Sequence, residues 1–167
     1  LVKTIGCGIC NGTDLKLVEG HLKGFSTYPA VLGHEATGRV IEIGKKVKNY
    51  KVGDIILRTE LHDSDSYHSL WGGFSEYALA TDSLAMEADG LPVEDVSMKS
   101  RTVVPAQVDG ADAAMLITVE EIYSALKRLD MQPGMNVVIV GCGPVGIVMA
   151  NLCRLMGAGK ILLGGHH

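Results

Sequence analysis

Cys10, His34 and Glu35 carry three kinds of donor atom that zinc accepts: a thiolate sulfur, an imidazole nitrogen and a carboxylate oxygen. His34 and Glu35 are adjacent, and Gly33 and Gly38 bracket them in the sequence. Each of the three alone has an ordinary structural explanation, as a small buried residue, a turn residue or an exposed charge. Together they predict one zinc site with a fourth position for water or substrate. Zinc held there would polarise an alcohol oxygen as a Lewis acid.

A second chemical signature is the run GCGPVG, which follows a β-branched segment and precedes an amphipathic one. In a dinucleotide-binding turn the first glycine allows a tight turn, the second admits a pyrophosphate, and the third permits close helix packing. The strand–turn–helix context favours this interpretation over a glycine-rich turn without a ligand. The predicted cofactor-binding residues of the turn are Gly141, Gly143, Pro144, Val145 and Gly146.

The end of the next predicted strand reads Gly164-Gly165-His166-His167. A carboxylate is usual there in NAD-binding folds, where it binds a ribose hydroxyl. Because no carboxylate stands at this place, a 2′-phosphate would not be repelled there. His166 or His167 would lie near that phosphate. We therefore predict NADP or NAD as cofactor, with a preference for NADP, and place Gly165 among the cofactor-binding residues.

The elements that position these residues fall into two groups. In the first, short glycine-punctuated segments predict a small β-barrel or sandwich. Thr13 and Asp14 are predicted to cap a short helix, and residues 60–70 to form a polar loop whose His and Asp side chains are solvated. Residues 86–102 are predicted to be a surface excursion, and Trp71 to pack or line a pocket. The predicted strands span residues 1–10, 39–43, 55–57 and 72–77.

After residue 116 the hydrophobic period becomes helical. Thr118 and Glu121 form a predicted capping box for the first helix. Residues 137–140 and 161–163 predict two parallel strands joined by a helix, and the first strand reads as buried on both faces. This group is one β-α-β unit.

The composition limits the classes of partner and the compartment that we expect for the chain. A net charge of −4 without a basic block argues against nucleic acid. No run of about 18 apolar residues occurs that would span a membrane. The four cysteines show no disulfide spacing, which favours a cytoplasmic protein with reduced thiols.

Four pieces of the chain resemble the medium-chain dehydrogenase/reductase family, the zinc-dependent alcohol and polyol dehydrogenases. They are GICNGTDL at 8–15, the long stretch at 28–57 around GHE, GGFSEYAL at 72–79, and the stretch at 133–162 around the glycine turn. The resemblance implies an α/β protein with a GroES-like β-barrel catalytic domain over 1–116. The first β-α-β unit of a Rossmann domain would follow over 117–167.

The resemblance also implies hydride transfer between a small alcohol, polyol or carbonyl substrate and a nicotinamide cofactor. It implies Cys10 and His34 as zinc ligands, Glu35 as a further ligand and Thr13 as the start of a proton relay. A homo-oligomer, either a dimer or a tetramer, is expected on the same ground. The catalytic set is thus Cys10, Thr13, His34 and Glu35, and the metal set is Cys10, His34 and Glu35.

The chain departs from the family pattern in four respects. The C-x-[ST]-D motif is one residue longer here, Ile117 stands where another zinc ligand is usual, and residues 60–70 lack the cysteines of a structural zinc lobe. The nucleotide domain amounts to one β-α-β unit, so we expect the chain to be part of a longer polypeptide. The alternatives are a zinc-free reductase of the same superfamily and a non-catalytic GroES-like binding or assembly module.

Overall fold

The computed structural model describes residues 1–93 and 102–165. The predictions for His166, His167 and residues 94–101 lie outside this range. The described chain forms two compact units that meet in sequence between Met115 and Leu116. The first unit contains β1 (Val2–Gly8), α1 (Asp14–Val18), β2 (Ala30–Val31), β3 (Glu35–Val40), β4 (Ile55–Leu57), β5 (His68–Ser69), β6 (Tyr77–Ala78), α2 (Ser83–Ala88) and a 3₁₀ turn (Asp112–Ala114). Then come α3 (Met115–Arg128), β7 (Val137–Val140), α4 (Pro144–Leu155) and β8 (Ile161–Gly164).

The main sheet of the first unit has four antiparallel strands in the order β4-β3-β1-β6. It packs over a core of buried apolar residues: Val2, Val40, Tyr50 and Ile56. Among the described residues the sheet stays open, because strand pairing beyond its edges is limited to the single bridges Ile56–Val103 and Glu60–Leu79. The strands predicted over residues 1–10 and 55–57 are present as β1 and β4, whereas β3 contains only residues 39 and 40 of the strand predicted over 39–43. The predicted barrel is not closed.

A second, smaller sheet is the parallel pair β2 and β5. Sequence analysis predicted a loop over residues 60–70 and missed β5, because a two-residue strand has no readable periodicity. The predicted strand over residues 72–77 was largely wrong, since only Tyr77 and Ala78 are extended and paired. The glycines that suggested a strand there form a turn, with φ +78° at Gly72.

Helix α2 was not predicted, and its last three residues, 86–88, lie in the predicted surface excursion over residues 86–102. Its N-cap is Asp82, whose carboxylate accepts hydrogen bonds from the backbone N–H groups of Leu84 and Ala85. The same buried carboxylate accepts the N–H groups of Lys48 and Asn49 from a distant turn. Burial raises the pKa of Asp82, but these four donors outweigh it and hold the pKa below its ordinary value.

In the second unit, β7 and β8 pair in parallel as predicted, and α4 follows β7. The core contains Ile122 and Leu126 of α3 with Cys153 of α4. Two predictions fail. Helix α3 begins at Met115, so Thr118 lies inside the helix and cannot be its N-cap. β7 is not buried on both faces, because Val138 and Val140 are 69% and 91% exposed on the half-covered sheet. Across residues 1–93 and 102–165, no helix has the length and hydropathy to cross a membrane.

Candidate metal centre and nucleotide turn

The three predicted zinc ligands come from two neighbouring strands. Cys10 lies two residues after β1 ends, His34 directly precedes β3, and Glu35 is the first residue of β3. β1 and β3 are antiparallel, with Gly8 opposite Glu35. This register places the end of β1 beside the start of β3, and so brings residues 24 positions apart in sequence into one cluster.

One potential ligand atom each from Cys10, His34 and Glu35 lies within 4.8 Å of the other two. His34 Nε2 is 3.8 Å from Glu35 Oε1. His34 is buried, and Cys10 and Glu35 are half-buried. Over the described parts of the chain, this is the one group of three or more His, Cys, Asp or Glu residues able to hold a metal ion together.

Asp14 is a site residue that sequence analysis missed, because its role there was helix capping. Its buried carboxylate accepts the backbone N–H of Cys10 through Oδ2 at 2.8 Å. Its other oxygen, Oδ1, lies 3.7 Å from His34 Nδ1. Both of these facing atoms are buried and neither has a hydrogen-bond partner. Asp14 thus connects the Cys10 backbone to the far side of the His34 ring.

Thr13 occupies the N-cap position of α1, but its side chain makes no capping hydrogen bond. The predicted capping role is therefore wrong, and the half-buried hydroxyl lies beside Asp14 in sequence.

Gly8 and Cys7 line the β1 side of the cluster. A methyl group on Gly8 would lie 2.5 Å from Glu35 Oε2, so the glycine leaves room for that carboxylate. Burial, followed by the negative charge of Asp14, raises the pKa of the Cys7 thiol to about 11. Cys7 is therefore a neutral packing residue at physiological pH.

Trp71 lies against the ring of His34, with the two ring centroids 5.3 Å apart. Phe25 stacks on Trp71 at 5.2 Å. The loop over residues 60–70 was predicted to have solvated His and Asp side chains, and those of His68 and Asp63 are 38% and 64% exposed. Asp63 accepts the N–H of Ser69 and lies 3.1 Å from His68 Nδ1.

In the second unit, the five predicted cofactor-binding residues of the glycine turn line one pocket of about 280 Å³. They are Gly141, Gly143, Pro144, Val145 and Gly146. Gly143 is the N-cap of α4 and Pro144 follows it. The N–H groups of the first turn after Pro144 have no acceptor within the helix, and Val145 and Gly146 of this turn line the pocket. A side chain on Gly141 or Gly143 would meet no protein atom within 4 Å, which leaves the surface of the turn open.

Two further glycines are required by packing. A methyl group on Gly146 would collide with the carbonyl oxygen of Gly141. A methyl group on Gly165 would lie 2.7 Å from the sulfur of Cys142, so a larger residue could enter only if the turn shifted. Gly165 does not line the pocket itself.

Residues 1–90 match the family model of the alcohol dehydrogenase GroES-like domain. The chain belongs to this alcohol dehydrogenase family. The predicted resemblance is thereby confirmed.

Curated relatives and a solved structure agree with this assignment. D-arabinitol dehydrogenase 1 of Uromyces fabae is 29% identical over 99% of this chain and 47% of its own length. Mannitol dehydrogenase of Petroselinum crispum is 31% identical over 93% of this chain and 49% of its own. A zinc-binding dehydrogenase structure from Sinorhizobium meliloti, bound to NADP, is 26% identical with a TM-score of 0.71, covering 97% of this chain and 47% of that one. The chain spans about half the length of the curated relatives it matches.

The donor set of the cluster, a thiol, an imidazole and a carboxylate, suits zinc. Nitrogen and oxygen ligands at about 2.0–2.2 Å from tetrahedral zinc lie roughly 3.3–3.6 Å apart. His34 Nε2 and Glu35 Oε1 are 3.8 Å apart, so a small side-chain shift would bring them to that separation. The two facing buried atoms without hydrogen bonds, His34 Nδ1 and Asp14 Oδ1, lie 3.7 Å apart, which is longer than a hydrogen bond. A small shift of either side chain would give the arrangement in which a carboxylate orients a metal-binding histidine.

Proposed function

We propose that the whole protein is a zinc-dependent alcohol or polyol dehydrogenase, which transfers a hydride between an alcohol and a nicotinamide cofactor. The observation that carries this proposal is the convergence of Cys10, His34 and Glu35 within 4.8 Å in a GroES-like domain of the alcohol dehydrogenase family. Relatives named for D-arabinitol and mannitol support small polyols as the substrate class.

Each residue of the site has a role in this proposal. Cys10, His34 and Glu35 hold the zinc, which supplies Lewis acidity toward an alcohol oxygen. Asp14 orients His34 so that Nε2 points to the cluster, because its carboxylate faces Nδ1. Thr13, whose hydroxyl makes no capping bond, is proposed to take up the alcohol proton as the first member of a relay to solvent.

The second unit is proposed to be the start of a Rossmann dinucleotide-binding domain. Its glycine turn would receive the pyrophosphate on the N–H groups of α4. Gly165, packed against Cys142, leaves no side-chain carboxylate at the end of β8. This supports NADP(H) over NAD(H), since a carboxylate there would repel a 2′-phosphate. A homo-oligomeric assembly in the cytoplasm remains a prediction from the family.

The first experiment measures zinc in the 167-residue chain. After metal removal and dialysis against zinc, we expect about one zinc ion per chain by mass spectrometry. Cys10→Ala should lose this zinc, whereas the matched control Cys142→Ala, which removes an exposed thiol of the second unit, should keep it. Retention of full zinc affinity by Cys10→Ala would refute the ligand assignment.

The second experiment titrates the chain with NADPH and NADH and follows nicotinamide fluorescence. Tighter binding of NADPH is expected. Binding of the nucleotide but not of zinc would favour the zinc-free reductase, although the cluster of Cys10, His34 and Glu35 argues against it. Binding of neither would favour the non-catalytic module, which the buried Ile117 in place of another usual ligand supports.

A further inference from the structure

Trp71 touches the candidate metal centre without being able to bind a metal. It is the only tryptophan in the chain. Its ring lies 5.3 Å from the His34 ring at 53°, and Phe25 stacks on it at 5.2 Å and 29°. The Trp71 indole therefore contacts both a second aromatic ring and the buried histidine.

The backbone on either side of Trp71 carries the segment that leads to His34. Residues 68–74 donate a series of backbone hydrogen bonds to residues 29–33. The bonds run from His68 to Pro29, Leu70 to Val31, Gly73 to Gly33 and Phe74 to Leu32, at 2.8–3.0 Å. A shift of the Trp71 segment would therefore move the residues that precede His34.

The conformation of Trp71 is one that side chains rarely adopt. Its φ is +69°, in the left-handed region, where a bulky residue is an outlier. Gly72 continues in the same region at φ +78°, with the side chain of Leu61 packed against its Cα. Backbone outliers of this kind persist only where the surrounding structure imposes them, and they concentrate at functional sites.

The His34 ring needs a contact of this kind. The side-chain torsion that turns an imidazole plane is broad, so one neighbour alone does not fix it. Asp14 faces Nδ1, and Trp71 lies against the ring itself. We propose that Trp71 is a positioning residue of the metal centre, which fixes the plane of the His34 imidazole and thereby raises the affinity for zinc. This inference rests on the proposed zinc site.

The test compares Trp71→Leu and Trp71→Phe with the wild-type chain. Zinc affinity is measured by competition with a chromophoric chelator, and unfolding by urea is measured without metal. Loss of a group that orients a metal ligand weakens binding by about 10–100-fold, and we expect Trp71→Leu to show about 10-fold. Trp71→Phe keeps an aromatic face toward His34 and should recover most of the affinity. Phe25→Leu, which leaves Trp71 without its stacking partner, should weaken binding about 2–5-fold, as a fraction of the Trp71→Leu effect.

Phe74→Leu is the matched control, because Phe74 is an exposed aromatic residue of the same hydrogen-bonded segment. It should bind zinc like the wild type. An equal loss in Phe74→Leu and Trp71→Leu would overturn the proposal, since the segment rather than the indole would then matter. If Trp71→Leu fails to fold, Phe25→Leu decides. Weaker zinc binding by Phe25→Leu than by the wild type supports the proposal, and unchanged affinity overturns it.

Fluorescence of the wild-type chain gives an independent readout. Co²⁺ bound by Cys10, His34 and Glu35 should quench the emission of Trp71, its close neighbour, and Cys10→Ala should abolish this quenching at the same Co²⁺ concentration. If the wild type binds zinc and Trp71→Leu binds it with the same affinity, the positioning role of Trp71 is overturned and the proposed zinc site is not. No metal binding by the wild type overturns the proposed zinc site as well.

Discussion

Replacing Asp14 by asparagine separates metal binding from folding. Asp14 is only 4% exposed, and its carboxylate has two different neighbours. Oδ2 accepts the Cys10 N–H at 2.8 Å, and Oδ1 faces His34 Nδ1 at 3.7 Å. Asparagine has one oxygen, which can keep the bond from Cys10. Its amide NH₂ then faces His34.

The change in the preferred tautomer of His34 determines how much zinc affinity is lost. A carboxylate favours a proton on Nδ1 and leaves the lone pair of Nε2 for a metal ion. An amide donor favours the other tautomer, with the proton on Nε2. We expect zinc affinity to fall by about 10–100-fold, equivalent to about 1.4–2.7 kcal/mol. The free energy of unfolding of the metal-free chain should be unchanged or higher, because a buried charge with an unbonded oxygen has been removed.

Zinc competition and urea unfolding measure the two quantities on one preparation. Asp14→Ala is the second variant, and it should lose about 1–3 kcal/mol of metal-free stability because the Cys10 N–H loses its acceptor. Asp82→Asn is the matched control, since that buried carboxylate of the same unit holds only backbone and amide donors. It should lower stability without changing zinc affinity. Wild-type zinc affinity in Asp14→Asn would refute the orienting role of Asp14.

Three further predictions concern single groups. Gly8→Ala should leave urea unfolding nearly unchanged but weaken zinc binding, because the new methyl group displaces the flexible Glu35 carboxylate. Zinc affinity equal to that of the wild type would show that Glu35 is not a ligand. The pKa of Asp82 in the folded chain is lowered, because its N–H donors outweigh the effect of burial. Its contribution to stability is therefore present above the ordinary pKa of 3.8 and is lost as the pH falls through the folded pKa. Unfolding measured from pH 6 to pH 2 should show this loss in the wild type, and a smaller slope in Asp82→Asn. Gly146→Ala should abolish NADPH binding and destabilise the second unit, because the methyl group meets the Gly141 carbonyl oxygen, whereas Gly143→Ala has room in the nucleotide-free chain and should fold normally.

Sequence analysis predicted best the elements that are specified by residues close together in the sequence. β7, α4 and β8 each follow from a continuous apolar run or a helical period, and the glycine turn between them has a fixed spacing. The convergence of the three candidate metal ligands was predicted for a similar reason, since His34 and Glu35 are adjacent and only Cys10 had to be brought to them.

The features that were missed depend on contacts between distant segments. Asp14 reads locally as a helix cap, and its orientation toward His34 becomes visible only after β1 and β3 have paired. Trp71 lies 37 positions after His34, in a turn whose glycines suggested a strand. Asp82 was not singled out in the sequence, although its carboxylate joins α2 to the turn at Lys48.

The cluster itself depends on an irregularity that no motif specifies. From Val2 to Thr4, β1 pairs with β3 in one register, and from Gly6 to Gly8 it pairs in a register shifted by one residue. A β-bulge of this kind inserts one residue into one strand and redirects the side chains beyond it. Without the shift, Gly8 would lie opposite His34 instead of Glu35, and the Glu35 carboxylate would lose the space above Gly8 that it now occupies. Because a slip of one residue exchanges the two faces of a strand, the ligand geometry is a property of the β1–β3 register as much as of the ligands.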